Sequence, residues 1–145
     1  MKPTLLLLSV AIVTIFTQCD TLKNLPTNTS GGLFSLNGNW QLASTIDANA
    51  MQGTVVQVVP GFSEATARTL NNNTYCLRDK DLVWRSLKSN GSGVFTIENL
   101  VSACNGTVLY KPATITVLTN DEITIKGSTA SSVELVQTWR RVASQ

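Results

Sequence analysis

The chain has 145 residues, enough for one ordinary domain with a sizeable core. Its net charge of +2 provides no basic surface for nucleic acid, and its lack of histidine removes the commonest general base and the commonest nitrogen ligand for metals. Only 14% of the residues are charged, and Thr, Ser, Asn and Val are abundant, which favours short strands joined by polar turns.

The first residues have the pattern of an export signal. Lys2 gives a positive start, and the run LLLLSVAIVTIF (5–16) is apolar but shorter than the ~20 residues of a membrane-spanning helix. Cys19 then follows in the stretch TIFTQCD, where no small-x-small cleavage pattern precedes it. This arrangement resembles a bacterial lipoprotein signal. The resemblance implies a signal peptide over 1–18 and a lipidated (palmitate-bearing) Cys19 as the first mature residue. An ordinary cleaved signal with an incidental cysteine is the alternative.

The lipoprotein resemblance also implies a location in the cell envelope, anchored by lipid and most simply at the outer membrane, on its periplasmic or surface face. Residues 19–32 hold one Pro, two Gly (31 and 32) and several Ser, Thr and Asn residues, and we interpret them as a flexible tether. The domain then covers 33–145.

The cysteine count fits this interpretation. Three cysteines are an odd number for an exported protein, so one thiol is expected to have another fate. If Cys19 carries lipid, Cys76 and Cys104 remain as one pair, and a disulfide between them would persist outside the cytoplasm. Two buried free cysteines are the alternative. A zinc site is not expected, because only two thiols and no histidine are present.

From residue 36 onward, apolar residues alternate with polar ones, which is the pattern of half-buried strands. On the first segment one face carries Leu36, Trp40, Leu42 and Ile46. The pattern predicts eight strands joined by short connections, at 36–46, 53–59, 65–70, 82–87, 94–101, 113–118, 122–127 and 133–142.

Eight short strands in sequence predict an antiparallel meander. Because an open sheet leaves two unpaired edges, we expect it to close. The predicted fold class is therefore all-β, an eight-stranded antiparallel up-and-down β-barrel; a two-sheet sandwich is the alternative. A barrel of this size holds either one small ligand or the side chains that fill it.

Gly38-Asn39-Trp40 matches the G-x-W signature near the start of lipocalin-type barrels. It follows LFSL (33–36), where that family has a short 3₁₀ helix. The family also carries an Arg or Lys on its last strand that lies over this tryptophan, and Arg140 and Arg141 stand at that place in TWRRV.

The region 33–142 therefore resembles the lipocalin-like (calycin-type) domains of bacterial lipoproteins. The resemblance implies a barrel end closed by Gly38, Trp40 and one of the two arginines. Of these we favour Arg141 over Arg140, because Arg141 shares strand parity with Trp139.

Motifs for catalysis are lacking in the sequence. Its serines have no histidine partner for a catalytic triad. Asp79 and Asp81 form a D-x-D, but Arg78 and Lys80 alternate with them, so a solvated charged turn is favoured over a calcium site. We expect no enzymatic activity, no metal and no cofactor. The alternative is a barrel that catalyses without histidine.

The inward faces of the later strands form the candidate ligand site. Leu82, Trp84 and Ser86 share one face, and Phe95, Ile97 and Val101 share the next. The residues that we select as ligand-lining are Trp84, Phe95, Ile97, Ile115, Val117, Ile123 and Ile125. Trp84 is the ligand-facing aromatic of this set, because its ring offers a large contact area. The same list also describes a filled core.

These observations predict a lipid-anchored, monomeric envelope protein that binds a small hydrophobic or amphipathic molecule and no nucleic acid. The alternative function is a protein–protein interaction module with a filled barrel and no ligand.

The substitution Cys19→Ser tests the lipid anchor. Serine has no thiol to acylate, so we expect an uncleaved or soluble precursor in place of a mature-length membrane protein. Membrane fractionation with mass measurement of the product checks this. A Cys19→Ser protein that stays in the membrane fraction at mature length would contradict lipidation.

Overall fold

A computed structural model describes residues 34–143, except for 60 and 62. The expected signal peptide (1–18), the tether (19–32) and Cys19 lie outside the described residues. The strands are β1 (Gly38–Thr45), β2 (Val55–Val58), β3 (Ala65–Thr69), β4 (Leu82–Gly91), β5 (Val94–Ser102), β6 (Leu109–Thr119), β7 (Glu122–Ser128) and β8 (Glu134–Val142). A short 3₁₀ helix, Cys104–Gly106, lies between β5 and β6.

The strands form one closed antiparallel barrel, in which each strand pairs with the next and β8 pairs with β1. The predicted fold class is confirmed, and the sandwich alternative is wrong. Each predicted strand overlaps an observed one. β6 begins four residues earlier than predicted, at Leu109, because β5 is long enough to pair with it from Val94 to Ser102.

Bulges in β1 and β4 reverse the predicted orientation of two residues, Ile46 and Ser86. In the β1–β8 ladder, Leu42 lies opposite Trp139 but Ser44 lies opposite Thr138, so β1 holds one extra residue and its alternation reverses. Ile46 therefore points outward and is 62% exposed. A similar shift in β4 between Arg85 and Lys88 turns Ser86 to the outside, where its hydroxyl lies 3.4 Å from the Glu98 carboxylate.

The segment before β1 also differs from the family expectation. The described part of the expected 3₁₀ helix, 34–36, has no helical structure. Its carbonyls accept hydrogen bonds from side chains instead: the Trp40 indole N–H donates to Leu36 O at 2.7 Å, and Arg141 Nη2, from the last strand, donates to Ser35 O at 2.8 Å.

The strand order places the chain connections at two ends of the barrel. The closed end holds the segment 34–37 and the turns β4–β5 and β6–β7. The opposite end is covered by the β1–β2 and β3–β4 connections, residues 46–54 and 70–81, which we call the lid. The lid buries apolar side chains in the core cluster, namely Ala50, Met51, Tyr75 and Leu77.

Hydrogen bonds join the two lid segments. The Met51 N–H donates to Asn72 O at 2.9 Å. The Thr54 hydroxyl, fully buried, donates to Asn71 O at 2.9 Å and accepts from Asn71 N at 3.0 Å. Because these bonds satisfy main-chain groups that no strand pairs, the lid keeps a defined conformation without regular secondary structure.

Cys76 and Cys104 lie at disulfide distance, with their Cα atoms 5.0 Å apart. Cys76 belongs to the lid and Cys104 begins the 3₁₀ helix after β5. A bond between them therefore fastens the lid to the barrel wall.

We predict that this pair is oxidised in the exported protein. Replacing both cysteines by alanine is expected to lower the free energy of unfolding by about 3–4 kcal/mol, because the closed loop restricts the unfolded chain. Urea denaturation measures the loss, and non-reducing peptide mapping should recover one linked fragment. Recovery of both as alkylatable thiols after acid trapping would contradict the bond.

Candidate functional site

The closed end of the barrel is built around Trp40, which is fully buried. Trp40 on β1 lies directly opposite Arg141 on β8, and the guanidinium carbon of Arg141 is 4.3 Å from the centre of the Trp40 ring. An indole face attracts a guanidinium, and the attraction strengthens as water is excluded.

The guanidinium of Arg141 also donates to the main chain on three sides. It contacts Asn120 O at 3.0 Å, Ser35 O at 2.8 Å and Asn37 O. Arg141 thereby joins the segment before β1 to the β6–β7 turn. Burial lowers the pKa of Arg141, and the nearby Asp121 carboxylate at 3.6 Å opposes that change.

Gly38 completes this end. Its φ of +114° is a backbone conformation that side-chain-bearing residues rarely adopt, and a Cβ there would lie 3.1 Å from Arg141 Nη1. Arg140, one residue before Arg141, points outward and pairs with Glu122 at 3.1 Å with two thirds of its side chain exposed. The structure thus places Gly38, Trp40 and Arg141 together, and Arg140 outside them.

The candidate ligand-lining residues lie inside the barrel. Trp84, Phe95, Ile97, Ile115, Ile123 and Ile125 are buried, and Val117 is half-buried. The ring of Trp84 packs edge-on against that of Trp139, with ring centres 5.0 Å apart. The ring centres of Phe95 and Phe34 are 6.3 Å apart. These side chains therefore pack against one another at the centre of the fold. Their role in ligand binding stays a prediction.

A surface cleft of about 460 Å³ lies at the lidded end, and we call it the mouth cleft. None of the seven candidate ligand-lining residues lines it. Its apolar wall includes Ile46, Tyr75, Val101 and Val133, and its rim carries the carboxylates of Asp47 and Glu134. Ile46 and Val133 are 62% and 63% exposed.

Sequence reasoning missed the mouth cleft. The alternation pattern predicts that Ile46 faces inward, and it carries no signal for the bulge that turns Ile46 outward. The pattern also includes Val133 in the last strand, but Val133 lies just before β8, which begins at Glu134.

A tyrosine–carboxylate contact closes one side of the mouth cleft. The Tyr75 hydroxyl donates to Asp47 Oδ2 at 2.7 Å and so joins the two lid segments. Burial raises the pKa of Tyr75, and the hydrogen bond to Asp47 raises it further. Tyr75 therefore stays protonated and holds this bond across the whole neutral range.

No family model, no curated protein and no solved structure matches this chain. Among the described residues, no helix has the length and apolar character needed to cross a membrane. Within 34–143, apart from 60 and 62, no three His, Cys, Asp or Glu side chains form a group that would hold a metal ion.

Neighbouring arginines provide a matched test of the closed end. Arg141→Met removes the stacking on Trp40 and the donors to three carbonyls, so we expect a loss of about 2–3 kcal/mol in the free energy of unfolding. Arg140→Met removes only an exposed ion pair and should cost less than about 1 kcal/mol. Equal losses in urea denaturation would contradict the assignment of Arg141 to this role.

Proposed function

We propose that this protein is a lipid-anchored cell-envelope protein whose lipocalin-like barrel binds one small hydrophobic or amphipathic molecule. The observation that carries the proposal is the mouth cleft, where two large apolar side chains, Ile46 and Val133, stand exposed beside a cavity of about 460 Å³. Exposed apolar side chains that line a concave surface are typical of binding sites, whereas single exposed ones need no explanation.

The difference between the two ends of the barrel supports this location. The closed end is held by Arg141 and Trp40, with direct contacts to main-chain carbonyls from two other segments. The lidded end is covered by connections without regular secondary structure, joined by a few hydrogen bonds. Segments of this kind open at lower free energy than strands do, so the lidded end is the natural entry point for a ligand.

The composition of the cleft defines the class of ligand. Apolar atoms of Ile46, Val101 and Val133 would cover an alkyl or ring portion, and the gain from burying apolar surface is ~25 cal/mol per Å² before the costs of ordering. Polar groups in or beside the cleft would contact a polar portion. An amphipathic molecule fits this division better than a purely apolar one.

The second candidate is the interaction module, and the packed interior favours it. Trp40, Trp84 and Trp139 are all fully or almost fully buried, and together with the isoleucines they occupy the centre of the barrel. A protein partner would then use the outer surface. Each strand of the closed barrel has a neighbour on both sides, so we expect such a partner to contact side chains or the lid.

Ligand titration of the full-length chain in lipid nanodiscs tests the first candidate. We expect saturable binding of a water-soluble amphipath such as octanol, followed by tryptophan fluorescence with empty nanodiscs as the blank. Ile46→Ser and Val133→Ser should each weaken binding about tenfold, because each removes apolar contact area in the cleft.

Leu118→Ser is the control for these variants. Leu118 is also a large exposed apolar residue, but it lies on β6 away from the mouth cleft, so its replacement should leave the affinity unchanged. Absence of saturable binding of any amphipath would refute the ligand proposal and leave the interaction module.

A further inference from the structure

Three tryptophans and two amides lie inside the barrel, and they differ in their hydrogen bonds. The indole of Trp40 donates to Leu36 O at 2.7 Å, and that of Trp139 donates to Gln137 Oε1 at 3.2 Å. By contrast, Trp84 Nε1 and Asn99 Nδ2 have no hydrogen-bond partner among the described residues. Trp84 is 0% exposed and Asn99 is 2% exposed. Burying a donor without an acceptor is unfavourable, so such groups in a folded protein call for a specific explanation.

The two unpartnered donors are neighbours. Trp84 on β4 and Asn99 on β5 are directly opposite in the strand ladder, so their side chains project from the same face of the sheet. Both are buried, and Asn99 shares strand parity with Phe95 and Ile97 in the core. The inner wall of the barrel therefore carries two adjacent N–H donors that the protein itself does not satisfy.

A lysine occupies the neighbouring position on the inner face. Lys111 on β6 is directly opposite Asn99 on β5, so it too projects from the inner face, and it is half-buried. No carboxylate among the described residues forms an ion pair with it at 4.0 Å or less. Two donors and one cation on adjacent strands match an anionic acceptor, since a hydrogen bond to a charged oxygen is the strongest that such donors make.

The donor pair lies just below the mouth cleft. Val101, which lines the cleft, is two residues beyond Asn99 on β5, a rise of about 7 Å along a strand. The rim itself carries the carboxylates of Asp47 and Glu134. An anionic head group is repelled by these acids and attracted by the donors below them, whereas an apolar tail is accommodated by Ile46 and Val133.

We propose that Trp84 and Asn99 bind the carboxylate of an amphipathic acid by hydrogen bonds from the indole N–H and the side-chain amide. Lys111 supplies the compensating charge, and the tail of the acid lies in the mouth cleft. This inference rests on the proposed function and names the chemical class of its ligand. A water molecule is the other source of an acceptor oxygen for the same donors, and the test separates the two.

The test compares octanoate, octanol and octylamine, which share a chain length and differ in their head group, on the full-length chain in nanodiscs. We expect octanoate to bind at least about tenfold more tightly than octanol, and octylamine to bind more weakly than both. Asn99→Leu, a substitution of similar volume, should lower the octanoate affinity about tenfold or more and change the octanol affinity little. It should also raise the urea midpoint of the ligand-free chain, because an unpartnered buried donor is removed.

Gln137→Leu is the matched control. Gln137 is the other buried amide on the inner wall, but its oxygen already accepts from Trp139, so its loss should lower the urea midpoint and leave the ratio of octanoate to octanol affinity unchanged. Lys111→Met is a second variant at a half-buried position and should lower octanoate affinity alone. It keeps the inference testable if Asn99→Leu does not fold.

The outcomes separate the two proposals. Equal affinity for octanoate and octanol in the wild-type chain, or a Lys111→Met variant that keeps the octanoate preference, would overturn this inference and leave the proposed function intact. If Asn99→Leu lowers the urea midpoint and leaves octanoate binding unchanged, the donors hold an internal water and the inference is wrong. No binding of any of the three probes would overturn both proposals.

Discussion

The pairing of the first strand with the last is the constraint on which the rest of the structure depends. It removes the sheet edges, and it places Trp40 opposite Arg141. Only after this pairing does the guanidinium reach the carbonyls of Ser35 and Asn120, which belong to distant parts of the chain. The contact between Trp40 on the first strand and Arg141 on the last therefore both closes the barrel and seals one end of it.

The two ends of the barrel are held by different kinds of contact. At the closed end, a charged group with several fixed donors joins short turns and a strand terminus. At the other end, two long connections bury Met51 and Tyr75 and depend on the Tyr75–Asp47 contact and on the position of Cys76 beside Cys104. One end of the barrel is therefore sealed by an arginine and a tryptophan, and the other is covered by a lid that is fastened to the barrel wall.

The polar groups inside the barrel differ in whether they have hydrogen-bond partners. Most inward residues are apolar or aromatic and satisfy one another, and two of the three indoles have an acceptor within the fold. Trp84 and Asn99 depart from that rule on adjacent strands, close to the lidded end. Because the rest of the core satisfies its polar groups, this local departure is more informative about function than the aromatic content of the barrel as a whole.

The alternation of apolar and polar residues determined the number, order and approximate bounds of the strands, because a period of two leaves few other ways to bury one face. The G-x-W stretch and the parity of Arg141 with Trp139 likewise identified the residues of the closed end. Tertiary structure alone decided the outward turn of Ile46 and Ser86, since a bulge depends on the partner strand and not on local sequence. It also decided the burial of Met51 and Tyr75 in segments without periodicity, and the meeting of Trp84, Asn99 and Lys111. Those residues are far apart in the chain, and only the strand register brings their side chains to one face.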